Sequence, residues 1–295
     1  MFKNFSQLKT YALGKKPKTV ALAAAADIHS LEAIRDAVSE LRIGYRLIGG
    51  FDKILAASEK AGFDVDGAAI VHTDSDEAAA KKAVELVRSG SAEILMKGGL
   101  QTGVLLSAVL DKQNGICDGG FLSHLAVLET PNYPGLMFIT DGGMNIAPDL
   151  AQKKEIVKNS VKFMNKLGYE LPRVAALAAA ETVSEKMQET VDARALAQMN
   201  KNGELEGCIL EGPLSFDIAI SPESAALKGF DSNITGKVDL FLVPNISTGN
   251  IMSKALIYLA GAKMAGCVLG AAAPIVLVSR GASAEEKLLS ILLAL

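Results

Sequence analysis

Three glycine-bearing segments carry the residue types from which a phosphate site could be built. They are residues 97–103 (KGGLQTG), 140–145 (TDGGMN) and 279–283 (SRGAS). Glycine lets backbone N–H groups approach a ligand closely, and the start of a following helix presents partial positive charge. Lys97 and Arg280 add a cation to two of the three segments. Turn geometry alone explains many such glycines, but the three segments together favour phosphate binding.

The standard nucleotide and hydrolase motifs are incomplete. Gly98 and Gly103 have the spacing of a P-loop, but Val104 and Leu105 stand where that motif needs Lys and Ser or Thr. No G-x-G-x-x-G follows the first apolar run, and no G-x-S-x-G provides a serine nucleophile. The three histidines have no metal-binding spacing, so no metal site is predicted. His124 is open to either a structural or a functional role.

Glu286 has two explanations in the sequence. Ser283-Ala284-Glu285-Glu286 has the S-x-x-E pattern of a capping box at the start of a helix. The same carboxylate lies seven residues after Ser279 and close to Arg280, where it could act as a general base. The two explanations are compatible.

The elements that must position these segments alternate between short apolar runs and helical stretches. Such runs are typical of strands buried on both faces of a parallel sheet, joined by right-handed βαβ crossovers. The predicted strands are 20–27, 45–50, 68–73, 93–97, 136–140, 174–181, 238–244 and 273–279. The predicted helices are 31–41, 51–61, 74–88, 102–111, 150–167, 184–200, 250–265 and 283–295. The pattern predicts an α/β protein of two lobes that divide near residue 130.

Composition excludes several classes of protein. The 295 residues are 49% hydrophobic and 21% charged, with a net charge of −3, which excludes a disordered chain and a global basic surface for nucleic acid. Three scattered cysteines favour a reducing compartment. The apolar stretch 255–278 is interrupted by Lys263 and Pro274, so we interpret it as a buried helix followed by a buried strand. We expect a soluble, cytoplasmic protein without a membrane or nucleic-acid partner.

Five ordered segments carry a family resemblance. They are LMKGGLQTGVLLSAVL (95–110), LSHLAVLE (122–129), ITDGGMNIAPDL (139–150), EGPLSFDIAIS (211–221) and the long stretch 243–291. Together they resemble the phosphate acetyl/butyryltransferase family, and most closely its butyryl branch. The resemblance implies a two-lobed fold of the isocitrate/isopropylmalate-dehydrogenase type with the active site in the cleft between the lobes. It implies domains of 1–130 plus 268–295 and of 131–267, and a homodimer.

The reaction that the resemblance implies is acyl-CoA + phosphate ⇌ acyl phosphate + CoA. In the reverse direction a base deprotonates the CoA thiol, and the thiolate attacks the acyl phosphate directly, without an acyl-enzyme. Coenzyme A is then a substrate, no cofactor is tightly bound, and an acyl (butyrate) kinase is the expected pathway neighbour in butyrate metabolism.

The same resemblance assigns the site residues. Arg280 neutralises charge on phosphate and on the developing oxyanion, Ser279 donates a hydrogen bond there, and Glu286, or its neighbour Glu285, is the base. The remaining candidates for phosphate or CoA binding are Lys97, Thr102, Asp141, Asn145 and Asn250. Two positions depart from the butyryl branch: Ala282 replaces an Asp, and Asn245 replaces another.

Three alternatives to a butyryl-specific enzyme stay open. The first is a preference for acetyl groups. The second is a decarboxylating dehydrogenase on the same fold, which needs clustered carboxylates for a metal, whereas Asp141 and Asp239 are isolated in the sequence. The third is a non-catalytic acyl-CoA-binding or regulatory protein.

Overall fold

The computed structural model describes residues 2–117, 120–279 and 281–295. The chain forms two compact units. The N-terminal unit consists of Phe5–Leu122 and Ala265–Leu295, and the second unit of residues 2–4 and Ser123–Met264. The domain boundaries implied by the family resemblance stay a prediction.

The N-terminal unit is a mixed sheet with helices, numbered in chain order. Its strands are β1 (Thr19–Ala23), β2 (Gly44–Gly49), β3 (Ile70–His72), β4 (Ile94–Lys97), β10 (Lys263–Leu269) and β11 (Ile275–Val276). Its helices are α1 (Phe5–Leu13), α2 (Ile28–Leu41), α3 (Phe51–Lys60), α4 (Asp76–Arg88), α5 (Thr102–Val109) and α11 (Ala284–Ala294). The strand order is β3-β2-β1-β4-β11-β10. Only the β10–β11 pair is antiparallel in this part of the described chain.

The parallel βαβ arrangement predicted for the first half of the chain is confirmed. Strand β4 is buried along its whole length, and β1 along all but its first residue. This burial on both faces explains why these strands are continuous apolar runs in the sequence rather than alternating ones. The α/β fold class is therefore confirmed, with a mixed rather than purely parallel sheet.

The second unit has its own strands and core. The strands are β5 (Ser123–Glu129), β6 (Met137–Thr140), β7 (Arg173–Leu177), β8 (Ile209–Leu214) and β9 (Leu240–Leu242). The helices are α6 (Leu150–Lys166), α7 (Gln188–Lys201), α8 (Phe216–Ile220), α9 (Pro222–Leu227) and α10 (Ile246–Ala260). The order is β5-β6-β9-β7-β8, with β5 antiparallel to β6. Phe241 on the central strand β9 lies in a buried cluster with Ile139, Ala175 and Ile218.

The apolar stretch 255–278 differs from its prediction. Helix α10 ends at Ala260 because Gly261 adopts a left-handed conformation, with φ of 64°. Two strands then follow instead of one, β10 and the antiparallel β11. Helix α10 is also not a buried helix, since Tyr258 is 82% and Leu259 88% exposed. Among the described helices, none has the length and apolarity needed to cross a membrane.

Candidate functional site

The order of the strands in the N-terminal unit reverses its direction between β1 and β4, and we call this place the switch point. From β1 the strand order runs through β2 to β3 on one side and to β4 on the other. In open parallel sheets, ligands bind beyond the carboxyl ends of the strands at such a point. The segments that meet there are the turn after β1, which leads to Asp27, and the glycine turn after β4, residues 98–101.

The glycine turn is held by a buried lysine and by strand β1. The Lys97 ammonium is buried and donates to the carbonyl oxygens of Gly98 at 3.1 Å and Leu100 at 2.9 Å. The Gly98 N–H donates to the Ala23 carbonyl at 2.9 Å. Helix α5 begins directly after the turn at the exposed residue Thr102, and the side chain of its N-cap residue Gln101 makes no capping hydrogen bond. An exposed, uncapped helix start beside a cation is suited to an anion.

We expect Gly98→Ala to destabilise the protein and Gly103→Ala not to. A Cβ at Gly98 would lie 2.3 Å from the Ala24 carbonyl oxygen and 2.7 Å from that of Ala23. Both atoms are backbone, so β1 must shift, at a cost of about 1–3 kcal/mol or more. Gly103 is in α5 with open space around its Cβ position, and alanine there should be neutral or add up to about 1 kcal/mol. Urea unfolding of both variants checks the pair, and equal stabilities would contradict the close approach.

The segment after β11 brings Ser279 and Glu286 to the same unit as the glycine turn. Strand β11 pairs with β4 in parallel register, so Ser279, exposed just beyond β11, follows the neighbouring strand. Arg280 lies outside the described residues. The predicted capping box is confirmed: the Ser283 N–H donates to Glu286 Oε2 at 2.8 Å, and the Glu286 N–H to Ser283 Oγ at 3.2 Å. Glu286 therefore has a structural role at the start of α11, whether or not it also acts as a base.

An ion pair beside the switch point was not anticipated from the sequence. The Lys287 ammonium, in the first turns of α11, donates to Asp27 Oδ1 at 2.6 Å and to Ser30 Oγ at 3.0 Å. Asp27 also caps α2 by accepting the Ser30 N–H at 2.8 Å. Burial raises the pKa of Asp27, but the hydrogen bonds from Lys287 and Ser30 outweigh it, so the pKa is lowered overall. Asp27 was predicted only as the last residue of the strand 20–27, and neither its capping role nor its partner 260 residues away was anticipated from the sequence.

A cavity of about 440 Å³ adjoins the switch point at Ala24 and Gly99. It extends to the starts of α3 and α4, and its lining includes Asp52, Lys53, His72, Asp74 and Asp76. The aspartates outnumber the lysine, so the cavity itself is a poor place for a phosphate group. Anion binding is better served by the glycine turn at its edge.

In the second unit, Asp141 holds the loop after β6 together. This carboxylate is only 1% exposed. Its Oδ1 accepts the N–H groups of Gly143 at 2.9 Å and Met144 at 2.8 Å. Its Oδ2 accepts the His124 N–H at 2.9 Å and the Asn145 side-chain amide at 2.6 Å. Four donors occupy the two oxygens, so Asp141 faces its own loop.

Helix α10 starts against this loop and brings Asn250 to it. Gly142 and Gly249 approach so closely that a Cβ at Gly249 would lie 2.5 Å from the Cα of Gly142. The Asn250 amide nitrogen is 3.5 Å from the Gly142 carbonyl oxygen. Asn245, a departure from the butyryl branch, caps α10 by accepting the Thr248 N–H at 3.0 Å. Asn and Asp are equally good N-caps, so this departure preserves the local structure.

His124 is buried beneath the same loop. A Cβ at Gly143 would lie 2.7 Å from Cγ of the imidazole, so only glycine fits over the ring. Burial lowers the pKa of His124, and the nearby charge of Asp141 offsets this only in part. His124 Nδ1 is buried without a hydrogen-bond partner among the described residues. The ring is therefore neutral at physiological pH and shapes the underside of the loop.

The predicted site residues thus form two groups, one in each unit. Lys97, Thr102, Ser279 and Glu286 lie in the N-terminal unit, and Asp141, Asn145 and Asn250 in the second. No three His, Cys, Asp or Glu side chains of residues 2–117, 120–279 and 281–295 cluster as they would around a metal ion.

The chain is similar to several known proteins over most of its length. Residues 77–295 match the family described as phosphate acetyl/butaryl transferase. Phosphate butyryltransferase of Clostridium acetobutylicum is 42% identical over 294 residues, which cover 100% of this chain and 98% of that protein. A branched-chain phosphotransacylase from Enterococcus faecalis V583, known from its crystal structure, is 33% identical with a TM-score of 0.83, covering 94% of this chain and 97% of that one.

A more distant likeness concerns the fold alone. The crystal structure of 4-hydroxythreonine-4-phosphate dehydrogenase from Klebsiella pneumoniae has a TM-score of 0.59 at 14% identity, covering 94% of this chain and 98% of that one. It confirms the expected dehydrogenase-like α/β fold. On the family match and the extensive identity to its members, the chain belongs to the phosphate acetyl/butyryl transferase family.

Proposed function

We propose that this chain is a phosphate acyltransferase of butyryl or branched-chain preference, which converts acyl-CoA and phosphate to acyl phosphate and CoA. The observation that carries the proposal is the glycine turn at the switch point, where buried Lys97 stands beside the uncapped start of α5. Family membership supplies the chemistry for which such an anion site is suited.

The site residues have separate roles in this proposal. Lys97 and Thr102 bind phosphate or the phosphates of CoA. Ser279 and Arg280 stabilise the charge that develops on the acyl carbonyl and phosphate, and Glu286 accepts the thiol proton. The family resemblance implies the roles of Ser279, Arg280 and Glu286. Lys97 and Thr102 take theirs from the glycine turn at a helix start, where donors can be preorganised for an anion.

In the second unit, the loop after β6 and the start of α10 offer Asn145 and Asn250 as further contacts for phosphate or CoA. Asp141 is better suited to hold the loop in shape than to meet an anionic substrate, because its oxygens already accept four hydrogen bonds.

Direct transfer to phosphate, without an acyl-enzyme, is consistent with the cysteines. Burial raises the pKa of Cys208 to about 11 and that of Cys267 to about 12. Since the thiolate is the nucleophilic form, neither side chain is suited to carry an acyl group at neutral pH. All three cysteines are free thiols, which favours a reducing compartment and supports a cytoplasmic location.

Release of free thiol from butyryl-CoA, with and without phosphate, tests the proposed activity. Phosphate-dependent release is the expected result, and acyl phosphate should accumulate in equal amount. A series of acyl-CoAs of increasing chain length then separates butyryl or branched-chain preference from acetyl preference. Binding of acyl-CoA without phosphate-dependent release would overturn the proposal in favour of a non-catalytic acyl-CoA-binding protein.

The dehydrogenase alternative is disfavoured by the two isolated aspartates. The two carboxylate oxygens of Asp141 already accept four hydrogen bonds. Asp239 accepts the Arg173 N–H and Nε–H at 2.9 Å and the Nη2–H at 3.1 Å. Both carboxylates are thereby committed to structural hydrogen bonds.

The family resemblance implies a homodimer, and we also propose that its two copies associate through α10. Apolar side chains of this helix face outward, with Ile251 69%, Tyr258 82% and Leu259 88% exposed. An exposed contiguous apolar surface of this kind is typical of an interface. The acyl phosphate product is suited to an acyl kinase, which would act as the next enzyme rather than as a bound partner.

We expect Tyr258→Lys together with Leu259→Lys to yield monomers from a wild-type dimer, because like charges would face each other across an apolar interface. Size-exclusion chromatography with light scattering measures the mass. Leu171→Lys, at an apolar side chain 54% exposed outside α10, is the matched control and should remain dimeric. A dimeric double variant would place the interface elsewhere.

A further inference from the structure

The Asp27–Lys287 ion pair lies at the switch point rather than in a remote part of the N-terminal unit. Asp27 follows β1, and a Cβ built at Gly99 of the glycine turn would lie 4.0 Å from the Cβ of Asp27. The carboxylate is 31% exposed, whereas the Lys287 side chain is 7% exposed. An incoming anion at the glycine turn therefore meets the carboxylate before it meets the ammonium group behind it.

The geometry of the pair fixes the orientation of the carboxylate. The Lys287 ammonium, the Ser30 N–H and the Ser30 hydroxyl all donate to the same oxygen, Oδ1. Lys287 also belongs to the helix whose first turn contains Glu286 and its capping box. A single buried cation thus joins the start of α11 to the turn after β1.

An unpaired carboxylate at this position would oppose the proposed reaction. Phosphate and CoA are anions, and like charges a few ångströms apart repel by energies that matter for binding in a partly desolvated crevice. Pairing with Lys287 cancels that repulsion.

We propose that Lys287 and Asp27 are positioning residues that set the charge of the anion site: Lys287 neutralises Asp27 and ties α11 to the switch point, so that phosphate and CoA bind beside a neutral pair. This inference rests on the proposed function for its substrates. It concerns neither a contact between Lys287 and the substrate nor a step of the chemistry.

The proposal predicts effects of opposite sign for the two partners. Lys287→Met leaves the charge of Asp27 unpaired, and KM for phosphate and acyl-CoA should rise about three- to tenfold at low salt. Added salt should shrink that increase, because it screens the repulsion. Asp27→Asn keeps the cap of α2 and removes the negative charge, which leaves the Lys287 charge uncompensated, so KM should fall. The double variant Asp27→Asn/Lys287→Met should return KM to within about twofold of wild type.

The matched control is Lys82→Met. Lys82 forms an exposed ion pair with Glu85 on α4 at 2.6 Å, so this variant removes the same charge from the chain away from the switch point. Its KM values should stay within about twofold of wild type. Thermal unfolding of every variant separates altered binding from loss of fold, and the double variant is informative even if Lys287→Met fails to fold.

A role confined to packing would give a different pattern. Both single variants would then raise KM or lower the melting temperature. The KM and the melting temperature of the double variant would be as impaired as those of the more damaged single variant. Added salt would leave the KM of every variant unchanged. That result would overturn the inference. Isothermal titration calorimetry with CoA and with inorganic phosphate measures the corresponding changes in dissociation constant in the absence of turnover. A wild-type protein that lacks phosphate-dependent thiol release would contradict the proposed function separately.

Discussion

Arg280→Ala is expected to lower kcat for phosphate-dependent thiol release about 10²–10³-fold, the usual loss when a preorganised charge is removed from a transition state. The expectation comes from the Ser279-Arg280-Gly281 sequence and from what flanks it. Ser279 follows β11, the neighbour of β4, and α11 starts at Ala284. In the proposed reaction, as the family resemblance implies, the Arg280 guanidinium neutralises charge on phosphate and on the developing oxyanion.

Two further variants make the Arg280 result specific. Arg280→Lys keeps the charge but loses the planar fork that binds two oxygens at once, so it should also be impaired. Arg46→Ala removes an exposed arginine of β2 whose guanidinium donates to the Tyr45 carbonyl, and it should retain wild-type turnover. An Arg280→Ala protein that folds normally and turns over like wild type would exclude the residue from the mechanism.

The sequence predicted the framework of the site because the framework depends on local patterns. Apolar runs such as residues 93–97, each followed by glycine or a polar cap and a helix, specify buried parallel strands regardless of what surrounds them. The capping box at Ser283 and Glu286 is likewise a matter of a few neighbouring residues, and the structure confirms it.

The parts that sequence analysis missed depend on partners far away in the chain. Lys287 gives no local sign that it pairs with Asp27, and Asp141 gives none that the N–H of His124, 17 residues away in the chain, donates to it. Helix α10 was interpreted as a buried helix because its sequence is apolar. Composition alone does not distinguish a helix of the core from an apolar helix at the surface of the chain. The antiparallel β10–β11 pair was missed because the residues that join its strands, 270–274, are glycine, alanine and proline, without a polar side chain to mark a turn.

Glu286→Gln is the variant with the other large expected effect. Glu286 Oε2 accepts the Ser283 N–H at 2.8 Å, and a glutamine side-chain oxygen can accept the same bond, so the capping box survives. The free energy of unfolding should therefore barely change. If Glu286 takes the thiol proton of CoA, activity should fall about 10²–10⁴-fold, because glutamine has no basic oxygen.

Two control variants distinguish the capping role of Glu286 from its proposed role as the base. Ser283→Ala removes the hydroxyl that accepts the Glu286 N–H but leaves the carboxylate, so it should cost about 1 kcal/mol of stability and much less activity than Glu286→Gln. Glu285→Gln changes the exposed neighbour, the other candidate for the base. Loss of activity in that variant alone would move the base by one residue. Two stable and active glutamine variants would mean that no carboxylate here is essential, and that the capping box is the whole reason for Glu286.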